Sequence, residues 1–251
     1  MRQLQQRLAR LLEQAIKEKN GEDYQKIYAK YRWSNWRVTA NWSSRDKDIP
    51  TAWYETTSGK SGTKTKDESR LLELRYDGDV SNGWQPSFRL FNGSYSYDSD
   101  YNYDPDPNAR DRARADWTGT EAQLTYTGIA QHKVVVGVDA QWNTRVEQQY
   151  YEVDSGDMIL DTNDTSRTVG LYAQDEWRFH PQWLLNASLR YDKHSDFDAV
   201  TSPRAALIWQ PTQRLSLKGI VGSSYRTPNA YERFYNDVGA SQNANPTSSR
   251  R

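Results

Sequence analysis

The stretch Tyr24-Gln25-Lys26-Ile27-Tyr28-Ala29-Lys30-Tyr31-Arg32-Trp33-Ser34-Asn35-Trp36-Arg37-Val38-Thr39-Ala40-Asn41-Trp42-Ser43 decides the fold class. Ile27, Ala29, Tyr31 and Trp33 recur at period two, with Lys26, Tyr28, Lys30 and Arg32 between them. Successive side chains of a strand point to opposite faces, so this is a strand with one apolar and aromatic face and one polar face. After Ser34-Asn35 the alternation resumes as Trp36, Val38, Ala40 and Trp42 against Arg37, Thr39, Asn41 and Ser43. A connection this short joins antiparallel neighbours, so the stretch is a β-hairpin.

The same design recurs downstream. Leu72, Leu74 and Tyr76 run to a turn over Gly78 to Gly83 and return as Trp84, Phe88 and Leu90. Ala122, Leu124, Tyr126, Gly128 and Ala130 turn at Gln131-His132 into Val134, Val136, Val138, Ala140 and Trp142. Val169, Leu171, Ala173, Trp177 and Phe179 pass through His180-Pro181-Gln182 into Trp183, Leu185, Ala187, Leu189 and Tyr191. Ala205, Leu207 and Trp209 turn at Pro211 to Arg214 into Leu215, Leu217, Gly219, Val221 and Tyr225. The count is roughly ten strands, each near or above the ~9 to 11 residues that a tilted strand needs to cross a bilayer.

The connections alternate in length. Tight turns fall near positions 34, 80, 131, 181 and 212, and long polar loops are expected at about 45–67, 98–114, 151–165, 194–202 and after 226. Short turns at one end and long loops at the other characterise outer-membrane barrels. Trp33, Trp36, Trp84, Trp177, Trp183 and Trp209 flank the short turns, as an interfacial girdle would. Tyr95, Tyr97, Trp142, Tyr150, Tyr151, Tyr191 and Tyr225 are expected to form a second belt at the other end. The fold class is therefore all-β, an antiparallel up-and-down transmembrane β-barrel of which about ten strands are present. A soluble or surface-exposed β-sheet binding module is the alternative, because a sandwich also alternates.

Composition agrees without deciding. The 251 residues are 35% hydrophobic and 26% charged, with 10 Trp and 17 Tyr against 5 Phe, a bias toward rings with a polar end that suit a membrane interface. No apolar run approaches the roughly 18 residues of a membrane helix, and strands that alternate between lipid and lumen keep the mean hydropathy low. The 33 basic and 33 acidic residues cancel, so no net field draws nucleic acid. With no cysteine there is no disulfide or thiol chemistry.

Outside the hairpins, Leu4, Leu8, Leu11, Leu12, Ala15 and Ile16 share one helical face, and Asn20-Gly21 stops that period. Residues 1–21 are thus an N-terminal amphipathic helix, 22–237 the barrel section and 238–251 a polar tail. The first residues lack the apolar core and cleavage site of a secretory signal.

Chemistry is sparse. No phosphate-cradling glycine loop, nucleophile elbow or paired-histidine motif is present, and His132, His180 and His194 are far apart. Asp98-Ser99-Asp100-Tyr101-Asn102-Tyr103-Asp104 resembles the opening of a calcium loop, but Tyr103 stands where glycine is needed and Ala109 where a bidentate glutamate belongs. No catalytic residue, metal ligand or cofactor is assigned. The long loops are the best functional surface: Trp53, Tyr54, Tyr101 and Tyr103 with Arg110, Arg112 and Arg114 are candidate ligand contacts, the arginines suited to an anionic ligand. Arg37, Arg89, Asp139, Glu176, Arg190, Arg204 and Lys218 fall on the polar, lumen face.

The last two hairpins resemble the TonB-dependent outer-membrane receptors. Leu171-Tyr172-Ala173-Gln174-Asp175-Glu176-Trp177 resembles that family's Y-A-Q-D-E/T strand, followed in the family's order by Leu189-Arg190-Tyr191-Asp192, Ser202-Pro203-Arg204 and Tyr225-Arg226-Thr227-Pro228-Asn229-Ala230-Tyr231-Glu232. Arg45-Asp46-Lys47-Asp48-Ile49-Pro50-Thr51 and Leu74-Arg75-Tyr76-Asp77-Gly78-Asp79 resemble an earlier portion of the same barrel. The resemblance implies residence in the outer membrane of a Gram-negative bacterium, contact with membrane lipid, and uptake of a scarce ligand such as a ferric siderophore, with TonB engaged only in a full-length parent. The family's barrel has 22 strands and a plug. Ten strands are expected either to be a section of it or to close more narrowly by pairing the first strand with the last.

Overall fold

The computed structural model describes residues 20–57, 62–80 and 82–236. The amphipathic helix and the polar tail expected at the two ends lie outside the described residues, apart from the helix's stop at Asn20-Gly21. Ten antiparallel strands follow one another in a single meander: β1 (Glu22–Trp33), β2 (Trp36–Asp48), β3 (Lys64–Asp77), β4 (Trp84–Tyr101), β5 (Ala109–Tyr126), β6 (His132–Glu152), β7 (Met158–His180), β8 (Trp183–His194), β9 (Val200–Thr212) and β10 (Leu215–Gly222). Each inner strand pairs with its two sequence neighbours, while β1 pairs only with β2 and β10 only with β9. Closure by pairing the first strand with the last is therefore not what the structure shows.

Register carries the alternation across the whole sheet. Trp33, Trp36 and Tyr76 are successive partners, as are Tyr31, Val38, Leu74 and Leu90, and Val136, Ala173 and Leu189. The apolar sets named from the sequence share this face wherever they lie within the strands. The opposite face carries Arg37, Arg75, Arg89, Glu121, Asp139 and Gly170 in one continuous row. A one-residue slip in any pair would turn a strand's whole apolar set inward, so the pattern itself fixes the register.

The apolar face does not form a core. Among the described residues only Tyr101, Ala109, Leu160, Ala206 and Tyr235 are buried hydrophobic side chains, whereas Leu171 and Leu189, in the middle of the sheet, are each 52% exposed. A sandwich would have covered these rows with a second sheet. Left bare, they suit lipid. At the short-turn end the rings form a near-continuous belt: Trp36 and Tyr76 have centroids 5.0 Å apart, Trp84 and Tyr126 4.1 Å, His132 and Trp177 5.4 Å, and Trp183 and Trp209 5.4 Å.

The expected second belt is divided by strand parity. Trp142, Tyr151 and Tyr191 lie on the outer, apolar side, joined there by Trp42, whereas Tyr95, Tyr97 and Tyr150 point to the polar side and Tyr225 lies beside Asp192. From Trp183 to Tyr191 is eight residues of β8, roughly 27 Å along the strand and about 20 Å in height at the ~40° tilt of such barrels, which fits within their ~25 Å apolar band.

The long loops are shorter than the sequence suggests because the strands run on beyond this band. β4 and β5 have 18 residues each, β6 has 21 and β7 has 23. That exceeds the ~9 to 11 a crossing needs, so the middle of the sheet rises as a wall above the apolar zone. The span 98–114, expected as a loop, is strand up to Tyr101 and again from Ala109. On the polar face inside the band, Arg190 donates to both oxygens of Asp139 (2.8 and 3.0 Å) and to Asp192, and Tyr172 donates to Glu121 at 3.0 Å. Arg89 donates to Glu73 at 2.7 Å. This network stitches β3 through β8 from within.

Candidate functional site

The raised wall places a cavity of about 870 Å³ at the long-loop end, on the polar side of β4, β5 and β6. Three segments close over it. The connection from β2 to β3 carries a one-turn 3-10 helix, Trp53–Glu55, held by the Thr56 hydroxyl donating to the Trp53 carbonyl (2.8 Å) and anchored to the next loop by the Thr57 amide donating to the Asn102 carbonyl (3.0 Å). Tyr54 and Glu55 sit at φ 51° and 64°, a left-handed region that costs a non-glycine residue of order 1 kcal/mol or more. The strain is borne where Trp53 and Tyr54 are turned toward Tyr101.

The third segment is helix α1 (Ala230–Phe234), built from the Tyr225-to-Glu232 motif. The Asn229 side chain accepts from the Glu232 amide at 2.8 Å and Glu232 accepts from the Asn229 amide at 2.9 Å, a complete capping box. Arg226 donates to both oxygens of Glu232 at 2.7 and 2.8 Å, which holds that carboxyl down at about 2. Arg233 reaches Asp196 at 2.8 Å and Asp164 at 3.7 Å, tying α1 to the β8–β9 connection and to β7 itself. The helix thereby brings Tyr235 against Tyr150, centroids 6.4 Å apart, with Tyr231 stacked on Tyr235 at 4.4 Å.

Four of the seven ligand candidates read from the sequence meet here. Trp53 lies 4.7 Å from Tyr54 and 6.3 Å from Tyr101, and Tyr101 lies 6.4 Å from Tyr103, centroid to centroid. The other three do not. Arg110, Arg112 and Arg114 are on β5, not in a loop, and their parity sends them to the outer face. There Arg110 donates to Asp100 (2.5 Å) while Arg112 and Arg114 donate to Asp98 (3.1 and 2.8 Å). The calcium-like string is thus half occupied by arginine partners, and no cluster of three potential metal ligands exists among the described residues.

Between those arginines Asp111 points the other way, into the cavity, with Ser99 and Tyr150 as its strand partners. Burial pushes its carboxyl up to about 6. Burial likewise pushes the Tyr97 and Tyr101 phenols up, so they stay neutral. Asp111, Tyr97, Tyr150, Tyr231 and Tyr235 are cavity residues that sequence reading did not assign to a site. Alternation through 109–114 held the signal for Asp111; the wall of tyrosines from α1 had none, since only folding brings residue 235 beside residue 150. The histidines are structural: His132 shares a 2.8 Å hydrogen bond with Asp175, His180 accepts from the Gln182 amide, and His194 accepts from the Asp196 amide.

Residues 16–250 match the profile of a family described as TonB dependent receptor-like, beta-barrel. The chain belongs to that family. Members are receptors and transporters of the outer membrane. A vitamin B12 transporter, BtuB, of Vibrio cholerae serotype O1 is 31% identical over 80 residues, which is 32% of this chain and 12% of that protein. Among solved structures, a mutant of the ferric enterobactin receptor PfeA of Pseudomonas aeruginosa superposes with a TM-score of 0.64 at 16% identity, covering 84% of this chain and 34% of that one. The copper transporter OprC does so at 0.65 and 14%, over 85% and 38%, and the ferric citrate transporter FecA at 0.63 and 13%, over 82% and 36%. At these identities the likeness establishes the TonB-dependent receptor barrel fold. The chain spans about a third of the length of those solved structures, a section of such a barrel.

Proposed function

We propose that this section forms part of the wall of an outer-membrane receptor, crossing the bilayer with its ten strands and capturing a scarce small ligand, of the ferric-siderophore kind, in the aromatic cavity. Uptake is driven through TonB in the complete receptor, and the ligand passes without chemical change. The observation that carries the reading is the convergence of Trp53, Tyr54, Tyr101 and Tyr103 above the apolar band, on the face that carries the polar network. A rigid sheet presenting rings at its loop end is a surface for binding. The bare apolar rows support lipid contact over the soluble-module alternative.

The test is uptake by cells that depend on the receptor for growth under iron limitation. Replacing Trp53 and Tyr101 together by Ala is expected to lower ligand-dependent growth at least tenfold at unchanged outer-membrane abundance. Growth equal to the parent's would remove the cavity from the uptake route. Independently, the chain is expected to hold its β-structure only in detergent or lipid, and a β-rich monomer stable without detergent would end the membrane reading.

A further inference from the structure

The cavity's charge is of one sign. Besides its tyrosines, its ionisable lining residues are Glu55, Asp106, Asp111 and Glu152, and no Lys, Arg or His lines it among the described residues. The nearby basic residues that sequence reading offered as ligand contacts, Arg110, Arg112 and Arg114, are paired on the other side of β5. An anion entering would face carboxylates and the negative faces of aromatic rings with no cation to receive it. A cation would meet both as attractive partners, and ring faces gain most where water is excluded.

Asp111 is set to be the counter-ion. It stands between the two ring clusters, Trp53, Tyr54, Tyr101 and Tyr103 on one side and Tyr150, Tyr231 and Tyr235 on the other, and among the described residues it forms no ion pair. We infer that the cavity selects a small ligand of net positive charge, held against the ring faces with Asp111 as its charge partner. This rests on the cavity being the ligand site, and it names the class of ligand that site takes. The titratable groups sharing the cavity with Asp111 are Tyr95, Tyr97 and Tyr101 from β4, Tyr150 and Glu152 from β6, Tyr231 from α1 and Tyr235 just after it, Tyr54 and Glu55 from the 3-10 turn, and Tyr103 and Asp106 from the β4–β5 connection. Acidification toward pH 5 removes the Asp111 charge, since burial has raised its carboxyl to about 6.

The test is calorimetric titration of the full chain, folded in dodecyl maltoside, with benzyltrimethylammonium and with benzenesulfonate at pH 7.5 and pH 5. The ammonium is expected to bind at least tenfold more tightly than the sulfonate at pH 7.5, to weaken about fivefold or more at pH 5, and to weaken similarly in Asp111→Asn. Tyr54→Leu, on an exposed turn outside the sheet, provides a second variant should Asp111→Asn fold poorly, and is also expected to weaken the ammonium. Arg112→Ala, on the outer face, should leave it unchanged. Equal or tighter binding of the sulfonate that is lost in Tyr54→Leu overturns the charge assignment and leaves the cavity as a binding site. Binding of neither probe overturns both.

Discussion

Asp111 sits between Arg110 and Arg112, and strand parity separates it from both. Its carboxyl, raised by burial to about 6 against roughly 3.9 in an unfolded chain, makes the folded state take up a proton in that interval. The contribution is therefore fully present below about pH 4 and is lost as pH rises through 6. With partial solvent access discounted, Asp111→Asn is expected to stabilise the protein by about 1–2 kcal/mol at pH 7.5 and to flatten the slope between pH 4 and 6, as read from urea midpoints in vesicles. At the same scale, a Cβ on Gly137 would collide with the ring of its strand partner Tyr172. Gly137→Ala is expected to cost about 1–3 kcal/mol, measured the same way, by displacing Tyr172 from Glu121 and Gln123.

Among the elements, α1 has five residues and no buried side chain, so its position depends on its cap and its clips rather than on packing. Asn229→Ala removes one half of the capping box, at a cost of about 1 kcal/mol. The expected result is protease cleavage between residues 223 and 236 while the strands stay protected; unchanged resistance would show that Arg233 alone holds the helix. The Arg226–Glu232 clip depresses the Glu232 carboxyl to about 2, so its contribution is present above the unfolded value and is lost only as pH falls toward 2. The motif that identified the family is in this respect architectural: its Arg226, Asn229 and Glu232 build the helix that delivers Tyr231 to the cavity.

At the scale of the whole molecule, the sheet exchanges the usual core for two exposed faces. Its inner face is held by a charged network and its outer face by the surrounding lipid. Arg in place of Leu171, at mid-band, is expected to destabilise the folded protein in vesicles by about 2–4 kcal/mol, whereas Arg112→Ala above the band should change stability by less than about 1 kcal/mol. A similar response at both sites would contradict the placement of the band.

Within that band the sequence by itself determined nearly everything: ten strands, their register and which residues face outward. Lipid on one side and a polar interior on the other impose an alternation that survives in the residue order, as Leu171, Ala173, Tyr172 and Gln174 show. Above the band the alternation of apolar with polar residues ends because both faces meet water, leaving only the arginines at every second position of 110–114, so residues 98–114 read as a polar loop although most of them are strand. Only the tertiary structure decided that Arg110, Arg112 and Arg114 turn outward to Asp98 and Asp100, and that Tyr231 and Tyr235 return to Tyr150. The sequence offered Trp53, Tyr54, Tyr101 and Tyr103 as rings at the long-loop end, and the structure brings those four side chains together. The sign of the charge beside them was not legible, since it depends on which way each side chain of a polar strand points, and hydrophobic patterning is silent where there is no hydrophobic face.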